Sequence, residues 1–283
     1  MGTKINAEDI SAVNKIFVKT FDNVYLSELK NDLEVYLANT NIINKHKTFI
    51  NQKDVIVFGS GPTVNNFMFD NIRCDDLVKI AVNSQIFDTR HKYDFFFASD
   101  YKVLKRREVT PEFLLNKINE GVRVCLGRNI HRYERWYKSG YYIPDSYIEK
   151  LTGLADVLYY TNSHSEVISK SYTNLLYSFY SIGHIALLFS ILCGAKKVYL
   201  VGFDQGGNYA DGTPRLNMEK TNLKAIDGFK KILKIVNELN FGIDIISINP
   251  VNMRGLFRDV YTNSYINESV NFAVEKPQII TSL

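Results

Sequence analysis

"VIVFGSGPTVNN", residues 55–66, runs an apolar, β-branched stretch into two glycines, a proline and a polar segment. Val55 to Phe58 is apolar throughout, which suits a strand covered on both faces of a parallel sheet. Gly59 and Gly61 open backbone angles closed to other residues and let a ligand approach the main chain. Pro62 suits the first turn of a helix, where its missing N–H is no loss. Thr63 and its successors would then begin a helix whose free N–H groups attract anions such as phosphate. The alternative is a tight strand-to-helix turn without a ligand, since glycine turns are common. The stretch lacks the third glycine of the dinucleotide fingerprint and the Gly-Lys-Ser/Thr of a phosphate loop. It points to a strand–turn–helix unit and to a nucleotide whose kind one turn cannot specify.

Outward from this turn, short β-rich runs alternate with helical ones. Strands are expected at Val55–Phe58, Leu77–Val82, Tyr93–Ala98, Val122–Leu126, Lys197–Val201 and Ile243–Ile248. Helices are expected after Thr63, at Pro111–Asn119, at about Gly183–Cys193 and at Glu219–Leu239, the last with Leu223, Ile226, Phe229, Ile232, Leu233 and Val236 on one stripe. The fold class is therefore α/β: an open, mostly parallel, Rossmann-like sheet flanked by helices. Before it, Ile10, Val13, Ile16 and Phe17, then Leu26, Leu29, Leu33 and Leu37, have helical spacing. The chain divides into an N-terminal helical extension at 1–50, a Rossmann-like domain at 51–265 and a C-terminal tail at 266–283. An insertion over one edge of the site is expected at about 128–180, rich in Arg, Lys, Tyr and Ser.

Composition bounds the partners. Of 283 residues, 46% are hydrophobic and 23% charged, enough for a large core in a soluble chain. A net charge of +4 suits an anionic substrate and does not argue for nucleic acid. Cys74, Cys125 and Cys193 lie far apart and have no metal-type spacing, which favours buried thiols in a reducing compartment. The stretch MGTKINAEDI lacks the apolar core of a signal peptide, and Asn6 stands where a myristoylation signal has Ser or Thr. The apolar run Ile185–Cys193 is too short to span a bilayer. A cytoplasmic protein is expected, with the inner membrane surface open as a place of action. Its abundant Tyr, Phe, Asn and Lys suit an AT-rich bacterial or phage genome.

In open parallel sheets, ligands bind beyond the carboxyl ends of the strands, near the point where strand order reverses. Small or polar residues follow five of the six expected strands: Gly59-Ser60-Gly61-Pro62-Thr63, Asn83-Ser84, Ser99-Asp100, Gly202-Phe203-Asp204 and Asn249-Pro250. Asn83 offers donor and acceptor groups for a base or ribose edge. Asp204 could hold a hydroxyl, position a lysine or bind a metal, but two aspartates without further spacing predict no metal site. None of the histidines at 46, 91, 131, 164 and 184 has metal-ligand spacing. His184 is the strongest candidate, because Ser181-Ile182-Gly183 places it at a helix start beside the cleft. "RNIHRYERWYKSGYY", residues 128–142, reads as a grip for an anionic acceptor or a membrane-surface glycolipid, or as a solvated helix face with buried aromatics. "YKVLKRRE", residues 101–108, reads as a charged helix.

The order of "VIVFGSGPTVNN", "IAVNSQIF", "SIGHIALLFSILCGAKKVYLVGFDQG" and "TNLKAIDGFKKI" resembles the bacterial CMP-sialic-acid-dependent sialyltransferases of lipooligosaccharide synthesis. It also resembles the wider superfamily with the motility-accessory-factor flagellin glycosyltransferases and the hydroxymethylpterin pyrophosphokinases. The resemblance covers about residues 54–250. It implies that Ser60, Gly61, Pro62 and Thr63 hold the donor nucleotide beside Gly59, that Asn83 contacts the donor, and that Ser99 stands where the family has a second asparagine. Ser181 and Gly183 match small residues near the cytidine. Asp204 follows its strand as in the family, and Tyr209 falls near a tyrosine that helps the CMP phosphate leave. Residues 205–218 correspond to a lid over the donor.

The resemblance implies transfer of a nonulosonic sugar from a CMP donor to a surface glycan or glycoprotein, with no cofactor required. The chain departs from the family at three places. Asn217 or a neighbour stands where the family has its histidine general base, Phe179 replaces an arginine and Gly206 a tyrosine. Asp100, Asp211, Glu219 or His184 would have to substitute for the base. The alternatives are an ATP-dependent pterin pyrophosphokinase, with Mg²⁺ on Asp100 and Asp204, and a non-catalytic nucleotide-binding protein of the same fold. Self-association stays open.

Overall fold

A computed structural model describes residues 23–67, 76–129, 140–161, 176–178, 181–206, 208–212, 214, 219–268 and 279–280. Among these lie ten strands: β1 Asp54–Phe58, β2 Val78–Val82, β3 Phe95–Ala98, β4 Arg123–Asn129, β5 Asp156–Thr161, β6 Leu176–Tyr177, β7 Lys197–Val201, β8 Asp244–Ile248, β9 Arg258–Thr262 and β10 Ile279–Ile280. They form one sheet in the order β10-β9-β8-β7-β1-β2-β3-β4-β5-β6, and every pairing is parallel. The chain starts in the middle at β1, winds outward to β6, then returns to β7 on the other side of β1. Strand order therefore reverses between β1 and β7, and a crevice opens there.

The described helices are α1 Asn23–Ile50, α2 Tyr101–Arg106, α3 Pro111–Asn119, α4 Asp145–Glu149, α5 Ile182–Leu192, α6 Glu219–Glu238 and α7 Asn263–Glu268. They make two cores. Val55 and Val57 point into one with α1, α5 and α6, whereas Ile56 and Phe58 point into the other with Leu104 of α2, Leu114 of α3 and Tyr147 of α4. Because side chains alternate across a strand, a sheet covered on both faces needs apolar residues at every position. That is why the quoted run is unbroken. Residues 182–191 of α5 are all buried, so the longest apolar stretch is a core helix. No helix among the described residues is long and apolar enough to cross a membrane.

All six expected strands are present. The segment expected as an insertion at 128–180 instead carries β5 and β6, which extend the sheet past β4. The expected tail holds β10, paired to β9. Of the N-terminal helices, residues 1–22 lie outside the described residues, and α1 is bound into the domain. Its buried stripe is Asn39, Ile43, His46 and Ile50, a helical spacing of three to four, while Leu37 is exposed. Asn39 donates to the Tyr159 carbonyl at 2.7 Å and accepts its N–H at 2.9 Å, and His46 meets Asp156 at 2.6 Å. On α6, Leu223 is exposed, and Ala225 and Gly228 help complete the buried stripe.

Candidate functional site

The turns after β1 and β7 continue the ladder between their strands: Gly59 N–H donates to the Val201 carbonyl at 2.7 Å and Gly61 N–H to that of Gly202 at 2.8 Å. A Cβ on Gly59 would stand 2.5 Å from the Gly202 oxygen, and one on Gly61 would stand 2.6 Å from it and closer still to the Asp204 carboxylate. These glycines are needed because the two turns touch each other. This corrects the expectation that ligand approach requires them. Gly61 has a φ of −75°, open to any residue, whereas Gly202 has +70°.

Pro62 opens a 3₁₀ turn, Pro62–Asn66, where an α-helix was expected. Thr63 donates its N–H to Asp204 Oδ2 at 3.0 Å and its hydroxyl to Oδ1. Its N–H is thus committed to the protein and is no free anion donor. Gly61, Pro62 and Thr63 do not line the cavity beside them; Thr63 holds Asp204, which does.

That cavity, about 810 Å³, lies at the carboxyl ends of the strands. It brings together Gly59, Ser60, Asn83, Ser99, Asp100, Ser181, Asp204 and Tyr209, named from separate parts of the sequence. Asn83 follows β2 with a left-handed φ of +53°, and its buried Oδ1 has no hydrogen-bond partner among the described residues. Unusual backbone angles cluster at active sites and ligand clamps, and an unsatisfied buried acceptor is costly unless something else bonds it. Ser181 caps α5 through a bond from Gly183 N–H at 3.2 Å. Asp100 caps α2, its Oδ1 accepting from the N–H of Lys102 at 2.8 Å and of Val103 at 3.4 Å. Burial raises its pKa above the ordinary carboxylate value, and these two N–H bonds pull the other way. The segment carrying Tyr209 is tied to the first turn by Ala210 N–H, which donates to the Ser60 carbonyl at 2.9 Å.

Two cations of this wall were not singled out from the sequence. Lys102 and Arg106, one helical turn apart on α2, both line the cavity. Lys102 Nζ lies 4.0 Å above the ring of Tyr141, and the Arg106 guanidinium 5.4 Å from that of Tyr209. The stretch read as a charged helix presents one of its faces to the site. The signal was available in its spacing: Lys102 and Arg106 follow the strand-end Asp100 by two and six positions. Tyr141, Tyr142 and Tyr160 add aromatic wall.

Gly183 and His184 are not brought to the cavity. A Cβ on Gly183 would run into the ring of Phe203. His184 is fully buried, with Nε2 2.9 Å from the Ala225 carbonyl and its ring edge-on to Phe229 at 4.3 Å. Burial drives its pKa down to about 3. The expectation of a histidine beside the cleft is corrected: the first turn of α5 aims this ring at α6. Asn249 is also structural. It is buried, exchanging bonds with Thr262 of β9 at 2.8 and 2.9 Å.

Phe179, Asn217, Trp136, Arg132, Arg135, Lys138, Cys74, His131 and His164 lie outside the described residues, as do positions 207, 213 and 215–218 of the expected lid. Arg128 pairs with Asp145, and Asp211 with Arg107. The one group of potential metal ligands among the described residues is His46, Cys125 and Asp156. It belongs to the packing of α1 on the sheet, where Lys45 and His46 both bond Asp156.

No protein-family model matches the chain, and no curated protein matches it. Among solved structures, it is similar to the sialyltransferase CST-II in complex with a trisaccharide acceptor and CMP. The identity is 15% and the TM-score 0.42, over 69% of this chain and 80% of that one. It is also similar to the sialyltransferase CstII from Campylobacter jejuni in complex with the substrate analogue CMP-3FNeuAc, at 16% identity and a TM-score of 0.44, over 69% and 81%.

Proposed function

We propose that the chain is a glycosyltransferase that binds a CMP-activated nonulosonic acid in the cavity at the β1/β7 crossover and transfers the sugar to a surface glycan or glycoprotein. The observation that carries this reading is the convergence there of Ser60, Asn83, Ser181 and Asp204 with two cations, Lys102 and Arg106. Polar side chains at several strand ends suit a nucleoside, and a pair of cations suits the phosphate and carboxylate of such a donor. The sequence resemblance supplies the choice of CMP and of the sugar class.

Asn83 would meet the donor with the amide oxygen that no described residue bonds. In the reaction, an acceptor hydroxyl attacks the anomeric carbon, its oxygen–carbon bond forms and the bond from that carbon to the CMP phosphate oxygen breaks, with inversion. Asp100, whose basicity is raised by burial, takes the hydroxyl proton. The Tyr209 hydroxyl donates to the departing phosphate, with Lys102 and Arg106 balancing its charge. The reaction requires no metal, and the membrane's cytoplasmic face is the natural place to meet a lipid-linked acceptor.

The test is CMP release from CMP-N-acetylneuraminic acid, with and without oligosaccharide acceptors, by the wild-type protein and by Lys102→Gln/Arg106→Gln. Acceptor-dependent release that the double variant loses supports transfer. CMP binding with neither hydrolysis nor transfer would favour a non-catalytic nucleotide-binding protein. Stabilisation by ATP and Mg²⁺ but not by CMP would favour a pyrophosphokinase.

A further inference from the structure

A second cavity of about 400 Å³ adjoins the first, and Ser60 and Tyr209 line both. Its wall holds Arg107, whose Nη1 is paired with Asp211. The opposite edge of the same guanidinium, Nε and Nη2, is buried and has no hydrogen-bond acceptor among the described residues. Those two N–H groups lie parallel and form the fork that grips two oxygens of a carboxylate or phosphate. The second arginine of this cavity is already satisfied: Arg90 gives Nε and Nη2 to the two oxygens of Asp88 at 2.8 and 2.6 Å. At the rim Phe87 is 41% exposed, its ring 5.0 Å from that of Phe113. An exposed aromatic face beside planar hydrogen-bonding side chains is a surface on which a sugar ring stacks while its hydroxyls are held.

We infer that this second cavity is a saccharide subsite that selects an anionic sugar, with Arg107 as its specificity-determining residue. The inference rests on the reading of the first cavity as the donor site, because the shared wall at Ser60 and Tyr209 then places the second sugar next to the reacting bond. Asp211 marks the chemistry, since a carboxylate already fits one end of this guanidinium. The charges around the group are Arg90, Asp88 and Asp211, and each is matched within the cavity or by Arg107 itself. The free fork is what an additional anion would use. A carboxylate and a phosphate ester both present the required pair of oxygens.

Calorimetry on the full chain with three probes decides this: 3′-sialyllactose for the carboxylate, galactose 6-phosphate for the phosphate, and lactose as the neutral control. The expected result is tighter binding of one anionic probe than of lactose, by about 10- to 100-fold, as a charge-assisted bidentate contact provides. The identity of that probe names the anion. Arg107→Gln should erase the difference, and Arg107→Lys should restore only part of it, because a lysine keeps the charge and loses the fork. Phe87→Ala, confirmed as folded by its melting curve, should weaken all three probes together. Equal binding of all three probes, or discrimination that survives Arg107→Gln, would overturn the inference. CMP is titrated in parallel. CMP binding unaffected by Arg107→Gln, with no saccharide discrimination, defeats the subsite alone. Arg107-dependent saccharide binding with no CMP binding defeats the donor reading and leaves the subsite standing.

Discussion

Asp204 accepts both the backbone N–H and the hydroxyl of Thr63, joining the end of β7 to the turn after β1 across 141 positions of sequence. With Asp204 only 2% exposed, these bonds supply donors that burial takes away from water. Thr63→Val removes the hydroxyl and keeps the shape, so a buried carboxylate loses a donor. A hydrogen bond to a charged group contributes about 1.5–3 kcal/mol, and the variant should melt several degrees lower. An unchanged melting temperature would show that the clamp contributes nothing.

Gly61→Ala tests whether the turn serves the fold or the ligand. Its new methyl group would press on the Gly202 carbonyl and the Asp204 carboxylate, both held in place by hydrogen bonds. Overpacking of this kind costs about 1–3 kcal/mol. Denaturant melts should show that loss without any ligand present. A variant as stable as the wild type that fails only to bind nucleotide would return the glycine to the ligand.

Asp100→Asn keeps the helix cap, since asparagine caps as well as aspartate. The raised pKa of Asp100 means that the folded state holds its proton more tightly than the unfolded state does. This group therefore adds stability at low pH, and that contribution is lost as pH rises through the folded pKa. At pH 7 the asparagine variant should be as stable as the wild type or more so. Its turnover should fall by about 10²–10⁴-fold, the contribution of a positioned general base. A variant that keeps full turnover would remove Asp100 from the reaction.

For His184 the sign is the reverse. Its pKa is about 3 when folded and ordinary when unfolded, so the unfolded chain takes up the proton first. Stability present above about pH 6.5 is lost as pH falls toward 3. His184→Gln should be less stable at neutral pH, flatten that acid limb and retain transfer activity. Loss of activity with the acid limb intact would place the ring in the chemistry after all.

Much of this was legible in the sequence for identifiable reasons. The six central strands are dominated by apolar residues because both faces of the sheet are covered, with Asp54, Lys197 and Asp244 standing at strand starts. The strand-end residues converge because a parallel sheet sends all its carboxyl ends to one side. The outer strands did not show: β5 reads DVLYYT and β9 reads RDVYT, with polar residues among the apolar ones, and the edge strands β6 and β10 are two residues each. The buried stripe of α1 was hidden because two of its members, Asn39 and His46, are polar and satisfied by Tyr159 and Asp156. Lys102 and Arg106 look like solvent-facing residues in sequence, because a basic helix usually faces water. The glycine turn was read for a ligand when its tightness comes from Gly202 and Asp204, contacts that no local pattern reveals.

The most direct measurement of the central claim is a calorimetric titration of the full chain with CMP, run beside Asn83→Gly. Asn83 has a left-handed backbone that glycine adopts without strain, so the variant keeps its melting temperature and loses only the amide. The account predicts one CMP site in the wild type, with about 2.7 kcal/mol of added stability at a hundredfold the dissociation constant. It also predicts affinity weaker by about 1–3 kcal/mol in the variant. No CMP binding by the folded wild-type chain, or equal binding by Asn83→Gly, would contradict it.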